Sequence, residues 1–179
     1  MVRARPSDDQ RHAGLCARFG VWLVAVTLTA CAARSNAGAT SLRSPLLSHP
    51  APELHRVALD GSIVASATWA GHVAVVDFFS EYCVPCARLL PSVEALHRSM
   101  PDVIVLGISE DDDADGARRM IQAHGLSFPV VHDEGHLLAG RFRVTDLPAT
   151  FVVDARGFVQ WCGAGDGTDE VKVAVEAVR

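Results

Sequence analysis

The sequence contains a single lysine, Lys172, and no cluster of basic residues. Its formal net charge is −5 at pH 7. Proteins that bind nucleic acid concentrate basic charge on one face, so this composition argues against a nucleic-acid partner. The 179 residues, 49% of them hydrophobic, are enough for one domain of ordinary size. We expect a monomer that carries no cofactor.

The first apolar run, residues 19–31, is shorter than the ~20 residues that a membrane-spanning helix needs. A charged start followed by a short apolar stretch is typical of a secretion signal, and four arginines precede this run: Arg3, Arg5, Arg11 and Arg18. The run ends in Leu28-Thr29-Ala30-Cys31, which resembles the lipobox of bacterial lipoproteins, whose cysteine is acylated and begins the mature chain. We therefore expect a signal peptide over 1–30 and a lipid anchor on Cys31. The alternative is an ordinary signal that is cleaved nearby, with Cys31 incidental.

Residues 31–51 are small, polar and proline-rich, a composition that favours a flexible tether. The globular domain is then expected over 52–179. This arrangement predicts an extracytoplasmic domain, held by lipid on the periplasmic side of a bacterial membrane. In some bacteria an aspartate after the acylated cysteine retains lipoproteins at the inner membrane. Ala32 takes that position here, which favours the outer membrane.

The globular part alternates between strand and helix patterns. Asp60-Gly61 between two short apolar segments predicts a hairpin. The apolar runs 72–79 (HVAVVDFF) and 102–109 (DVIVLGIS) predict strands that are buried on both faces. Helical patterns follow each run, and a second hairpin and a last helix close the chain. The order predicts an α/β fold with a central mixed β-sheet flanked by helices.

Two cysteines, Cys83 and Cys86, follow the first buried run and open the next helix. Covalent haem attachment requires a histidine directly after the second cysteine, and Ala87 stands there. A structural zinc site requires a second pair of ligands at matching spacing, which the sequence does not supply. A redox-active dithiol remains, with a permanent structural disulfide as the alternative. The helix N-terminus favours the thiolate of Cys83, so Cys83 would attack a substrate disulfide and the deeper Cys86 would resolve the intermediate.

The stretch VVDFFSEYCVPCARLLP resembles the strand–CxxC–helix core of thioredoxin-like proteins, and residues 52–179 resemble the TlpA/ResA branch of that family. The resemblance implies a thiol–disulfide oxidoreductase with the family's extra N-terminal hairpin and helix–strand insertion. It also implies that the protein reduces cysteines of client proteins, such as those of cytochrome c or copper-site maturation, and receives electrons from a thiol donor. Pro148 matches the family's cis-proline, which lets the client backbone pair with Leu147; the alternative is an ordinary trans-proline. Tyr82 stands where the family most often has tryptophan.

Asp77 lies six residues before Cys83, among apolar neighbours in the first buried run. In thioredoxins the matching aspartate accepts the proton of the second cysteine, and a lysine on the adjacent strand offsets its charge. The run VIVLGI carries no lysine, so we expect burial to raise the pKa of Asp77 and make it a base for Cys86. The alternative is a carboxylate turned to solvent at the end of the strand.

Two other functions compete with the reductase. A copper-binding metallochaperone of the Sco type would use two thiolates and a histidine such as His124, His132 or His136, but its cysteine spacing is one residue longer. A peroxidase of the peroxiredoxin type would need a Pro-x-x-x-Thr-x-x-Cys arrangement that is absent. We expect the remaining cysteine of the domain, Cys162, to be buried and inert, with an intermolecular disulfide in an oxidising compartment as the alternative. The acidic stretch 109–115 predicts a solvated start of a helix.

Overall fold

A computed structural model describes residues 44–164 and 169–179, and a five-stranded sheet forms its centre. The strands are β1 (His55–Val57), β2 (Ile63–Ala65), β3 (Ala74–Phe79), β4 (Ile104–Ser109), β5 (Val130–His132), β6 (Ala149–Val153) and β7 (Val159–Gly163). The α-helices are α1 (Val84–Ser99), α2 (Ala114–His124), α3 (Leu137–Phe142) and α4 (Glu170–Val178). In the part of the chain that the structure describes, no helix is long and apolar enough to cross a membrane.

The central sheet is mixed, as the sequence predicts. Its strand order is β5-β4-β3-β6-β7, with β3, β4 and β5 parallel and with β6 and β7 antiparallel to their neighbours. All six residues of β3 are buried, which explains why its sequence is a continuous apolar run. Strand β3 is the middle strand of the sheet. The residues that follow it therefore leave the sheet at its centre, between the carboxyl end of β4 and the start of β6.

The two faces of the sheet carry separate hydrophobic clusters, because side chains alternate along each strand. Val75 and Phe79 point to the face covered by α1, α2 and α4, and Cys86 belongs to the same cluster. Ala74, Val76 and Phe78 point to the other face, which α3 and the β1–β2 hairpin cover. Helices on both faces, with the hairpin on one of them, bury most of the central sheet.

The predicted N-terminal hairpin is present. Strands β1 and β2 pair antiparallel, with Val57 opposite Ile63. The turn between them uses Gly61 at φ 85°, a left-handed conformation that favours glycine, and the Asp60 carboxylate accepts a hydrogen bond from the Ser62 N–H at 2.9 Å. The hairpin forms a separate two-stranded sheet beside the central one.

Residues 44–51, expected to belong to the flexible tether, are instead docked on the outer edge of the sheet. The Ser48 N–H donates to the Val159 carbonyl at 2.7 Å, and the Val159 N–H donates to the His49 carbonyl at 2.9 Å. Leu46 and Leu47 pack against the cluster beneath β7. An open strand edge offers unpaired N–H and C=O groups, and this segment satisfies those of Val159 at the start of β7. Ordered structure therefore starts by residue 44 and not at the expected residue 52; residues 31–43 lie outside the described chain.

Candidate active site

Cys83 and Cys86 are joined by a disulfide at the amino end of α1. Cys83 is the N-cap residue, and its Sγ accepts a hydrogen bond from the backbone N–H of Cys86 at 3.1 Å. Pro85 stands in the first turn of the helix, where its missing N–H leaves no hydrogen bond unmade. Cys83 is partly exposed, whereas Cys86 is fully buried. A partner can therefore reach the sulfur of Cys83 more easily than that of Cys86, as the sequence predicts.

The position of Cys83 also favours its thiolate once the disulfide is reduced. The first turn of a helix carries backbone N–H groups without an intrahelical partner, and the helix dipole adds positive potential at this end. The Cys86 N–H already points at the Cys83 sulfur. Both effects favour the thiolate of a cysteine at the start of a helix, and the thiolate is the form that attacks disulfides.

Asp77 lies on the face of β3 that packs under the dithiol. It shares that face with Val75 and Phe79, which belong to the same buried cluster as Cys86. Its strand neighbours are Gly107 on β4, which has no side chain, and Thr150 on β6. Asp77 is fully buried, so the alternative of a carboxylate turned to solvent is wrong.

The carboxylate of Asp77 is poorly compensated. Its Oδ1 accepts a hydrogen bond from the Thr150 hydroxyl at 2.6 Å, and its Oδ2 has no hydrogen-bond partner among the described residues. Burial raises the pKa of Asp77 from 3.8 to about 7, although the hydrogen bond from Thr150 lowers it. The expected rise, with burial as its main cause, is confirmed. The role of Asp77 toward Cys86 stays a prediction.

The peptide bond between Leu147 and Pro148 is cis. Pro148 directly precedes β6, whose first residue, Ala149, pairs with Phe78 of β3. This register brings Leu147 and Pro148 next to the residues that lead from β3 into the dithiol. Pro148 is buried and Leu147 is partly exposed, so the backbone of this short loop borders the same end of the sheet as Cys83.

The residues between β3 and Cys83 are fixed by side chains that the sequence did not single out. The Asp111 carboxylate accepts hydrogen bonds from the Glu81 N–H at 2.8 Å and the Ser109 hydroxyl at 2.7 Å. The Glu81 carboxylate accepts two hydrogen bonds from Arg119 of α2, both at 2.6 Å. Glu81 is thus anchored at its backbone and at its side chain, two residues before Cys83.

The acidic stretch 109–115 is less exposed than expected. Ser109 and Asp111 are buried, and the side chain of Glu110 is 7% exposed. Burial raises the pKa of Glu110 to about 7, and its Oε2 lies 2.7 Å from Nδ1 of His136. Only the later acids, such as Asp112 and Asp113, face solvent at the start of α2 as predicted. The burial follows from the position of this stretch directly after β4, where Asp111 reaches across to the loop before Cys83.

The histidines considered as copper ligands do not converge on the dithiol. His132 Nε2 lies 2.8 Å from the Asp111 carbonyl, and His136 is engaged by Glu110. Over residues 44–164 and 169–179, no three His, Cys, Asp or Glu side chains come together as a metal site would require.

Cys162 is a free thiol in β7, 2% exposed. Burial raises its pKa to about 11, with a smaller opposing effect from Ser44. At neutral pH it is protonated and shielded, so the expectation that it is buried is confirmed.

The proposed signal peptide and Cys31 lie outside the described residues.

A family model described as "AhpC/TSA family" matches residues 47–162, a range that includes both dithiol cysteines, Asp77 and Pro148. The chain belongs to the AhpC/TSA family. The chain is similar to the thiol-disulfide oxidoreductase ResA of Halalkalibacterium halodurans, with 24% identity over 115 residues, which are 63% of this chain and 65% of the relative. The predicted similarity to ResA is confirmed.

Solved structures place this AhpC/TSA-family chain in the thioredoxin-like fold. A secreted disulfide oxidoreductase of Mycobacterium tuberculosis, described as homologous to DsbE of E. coli, superposes with a TM-score of 0.64 at 23% identity and covers 69% of this chain and 95% of that one. The thioredoxin domain of a thiol-disulfide oxidoreductase from Bacteroides vulgatus superposes with a TM-score of 0.66 at 18% identity and covers 78% of this chain and 100% of that one. The predicted fold class is confirmed.

Proposed function

We propose that this AhpC/TSA-family protein is a thiol–disulfide oxidoreductase that reduces disulfides in other proteins. The observation that carries the proposal is the Cys83–Cys86 pair at the start of α1, with one sulfur partly exposed and the other buried. The similarity to proteins named thiol-disulfide oxidoreductase supports it. The reaction transfers two electrons from the dithiol to one client disulfide.

In the first step the Cys83 thiolate attacks one sulfur of the client disulfide. The client S–S bond breaks as the Cys83–client bond forms, and the displaced client thiolate takes up a proton from solvent. The N–H groups of the first turn of α1 favour the attacking thiolate.

In the second step Cys86 resolves the mixed disulfide. The Cys86 thiol must lose its proton before its sulfur can attack Cys83, and the buried carboxylate of Asp77 accepts that proton. A base with a pKa of about 7 is half ionised near neutrality, so it can both accept a proton and release it again. The second client thiolate leaves and is protonated, and the Cys83–Cys86 disulfide forms. A thiol electron donor then reduces the protein for another cycle.

The loop of Leu147 and Pro148, directly before β6, supports a place for the client chain. The loop lies at the end of the sheet where β3 leads to Cys83, and its position before β6 leaves the Leu147 backbone at the end of a strand. An extended client segment can pair there by backbone hydrogen bonds while its disulfide meets Cys83. Clients of this kind include proteins whose cysteines are reduced during cytochrome c or copper-site maturation.

The protein works outside the cytoplasm, tethered by a lipid on Cys31 after removal of residues 1–30. The sequence supports this through its arginine-rich start, the short apolar run and the residues Leu28-Thr29-Ala30 before the cysteine. Cys31→Ser should abolish labelling with radioactive fatty acid, and equal labelling of the variant would contradict the anchor. The tether then spans residues 31–43, because residues 44–51 are docked on the domain.

Reduction of insulin, with dithiothreitol as electron source, tests the activity. The wild-type protein should accelerate the reaction, Cys83→Ser should be inactive, and Cys86→Ser should accumulate mixed disulfides with its clients. Cys162→Ser is the matched control, because it removes a buried thiol outside the site and should retain activity. We expect a reducing potential, because Val84-Pro85 between the cysteines provides no donor that favours an oxidant. A redox potential above that of the glutathione couple would contradict a reductase.

A further inference from the structure

A groove of about 560 Å³ lies at the end of the central sheet opposite the dithiol. Its lining includes Gly157, in the turn between β6 and β7. Ala74, the first residue of β3, pairs with Val153, the last residue of β6, so this turn is located at the start of β3. Cys83 follows the other end of β3. The groove is therefore separate from the dithiol.

The buried part of the groove lining is apolar. Leu54 and Trp69 are each 4% exposed and belong to the hydrophobic cluster on this face of the sheet. Small residues complete the apolar lining: Ala51, Ala65, Ala67 and Ala70. Sites for small organic molecules have volumes of roughly 300–1,000 Å³ and are lined mainly by apolar groups. The groove thus has room for an organic molecule as well as for an inorganic ion.

Three arginines from separate parts of the chain line the same groove. Arg56 belongs to β1, Arg141 to α3 and Arg156 to the turn before β7. Glu53 is the only acid among the described residues that line it, in a chain with 21 acidic residues against 16 lysines and arginines. A cleft lined by charge of one sign concentrates ligands of the opposite sign. The lining therefore favours an anion.

Two of these arginines have no carboxylate partner among the described residues. Arg56 and Arg141 each donate one hydrogen bond to a backbone carbonyl, at 3.0 Å and 3.1 Å. A guanidinium group has five N–H donors, so both side chains keep donors that a ligand can use. Arg156 differs, because the Asp154 carboxylate accepts hydrogen bonds from it at 2.8 Å and 3.1 Å and balances its charge.

We propose that this groove binds a phosphate group attached to a short apolar body. Arg56 and Arg141 belong to different elements, and the oxygens of one phosphate can accept hydrogen bonds from two guanidinium groups. The apolar body packs on the lining around Leu54 and Trp69. The same chemistry occurs in the headgroup region of a phospholipid and in a free phosphate monoester. The inference does not depend on the proposed oxidoreductase activity, because the groove is separate from the dithiol.

Isothermal titration calorimetry of the oxidised protein tests this site with soluble probes. Hexyl phosphate represents a phosphate monoester, and monomeric dihexanoyl phosphatidylglycerol represents a phospholipid. The wild type should bind at least one of them saturably, and the tighter probe identifies the source. Inorganic phosphate should bind more weakly than hexyl phosphate because it leaves the apolar lining unused, and hexan-1-ol should not bind because it lacks the charge. Equal binding of inorganic phosphate and hexyl phosphate would contradict the apolar part of the site.

Single substitutions locate the ligand. Arg141→Met and Arg56→Met should each weaken binding about tenfold, a typical size for the loss of a hydrogen bond to a charged group. Glu53→Gln should strengthen binding, because it removes a carboxylate that repels the phosphate. Arg118→Met is the matched control, since this arginine is exposed on α2 and pairs with Asp115 outside the groove, and it should bind as the wild type does.

Three results would overturn the inference. The first is the absence of saturable binding of both probes with a Kd below about 1 mM. The second is equal weakening by Arg118→Met and Arg141→Met, and the third is loss of binding in Cys83→Ser, which would place the ligand at the dithiol. Insulin reduction is measured separately, so its failure would overturn the proposed function and leave this inference in place.

Discussion

Asp77 and Glu94 are two buried carboxylates on the same side of the sheet, and their surroundings differ sharply. Asp77, in β3, is fully buried and receives one hydrogen bond, from Thr150. Glu94, in α1, is 6% exposed and receives hydrogen bonds from the backbone and hydroxyl of Ser127 and from Arg98. One oxygen of Asp77 has no hydrogen-bond partner among the described residues, whereas both oxygens of Glu94 are engaged.

This difference decides the charge of each group. Burial alone would raise the pKa of Glu94, but the hydrogen bonds from Ser127 and Arg98 outweigh it and lower the pKa, so Glu94 stays ionised. Burial raises the pKa of Asp77 to about 7, because one hydrogen bond does not compensate for the loss of water. Glu94 therefore ties α1 to Ser127, whereas Asp77 can exchange a proton near neutral pH. Incomplete compensation is what equips a buried carboxylate for proton transfer.

The largest expected effect concerns catalysis. Asp77→Asn keeps an oxygen for the Thr150 hydroxyl but removes the base, so resolution of the mixed disulfide by Cys86 should slow about 100-fold, while attack by Cys83 changes little. Stopped-flow reduction of a model disulfide near pH 7 resolves the two steps. Glu94→Gln, the matched control, should resolve at the wild-type rate. An unchanged resolution rate in Asp77→Asn would remove Asp77 from the mechanism.

The second effect concerns folding. Glu94→Ala should lower the free energy of unfolding by about 2–3 kcal/mol, because it leaves the Ser127 N–H and hydroxyl without an acceptor in a partly buried site. Urea denaturation at pH 7 measures this change. Glu94→Gln should lose less, since its amide oxygen can still accept one of the two bonds. Equal stability of Glu94→Ala and the wild type would contradict a structural role for this carboxylate.

The third effect is the pH dependence of stability. Between the unfolded pKa of Asp77, 3.8, and its folded pKa of about 7, the unfolded chain is ionised while the native state keeps the proton. Native stability therefore falls as pH rises through this window. Asp77→Asn does not have this loss and should be more stable than the wild type at pH 8, by on the order of 4 kcal/mol, with the gain shrinking toward pH 4. A gain that is the same at both pH values would show that the charge is not its cause.

The contrast between these residues also shows what the sequence could and could not predict. The strand–cysteine–helix segment was predictable because its signals are local: a continuous apolar run, two cysteines three positions apart and a helical pattern. The burial of Asp77 followed from its apolar neighbours. The Thr150 donor did not, because it lies 73 residues away and reaches Asp77 only through the pairing of β3 with β6.

Two expectations failed for a similar reason. Residues 44–51 have the composition of a tether, but they meet the open edge of β7, whose position depends on the whole sheet. Asp111 looks like one of several solvated acids, but the parallel pairing of β3 and β4 brings it against the Glu81 N–H. Composition describes a segment by itself, whereas its burial depends on the partner that the fold supplies.

A titration of the side-chain carboxyls by ¹³C NMR, on the oxidised protein with Cys83 and Cys86 joined, measures the pKa values of Asp77 and Glu94 directly. The account predicts that Asp77 titrates near pH 7 and that Glu94 titrates below its ordinary value of 4.5. In Asp77→Asn the signal near pH 7 that is assigned to Asp77 should disappear. An Asp77 carboxyl that titrates near pH 4 would contradict the account, because such a group would stay ionised at neutral pH and would be a poor acceptor for the proton of Cys86.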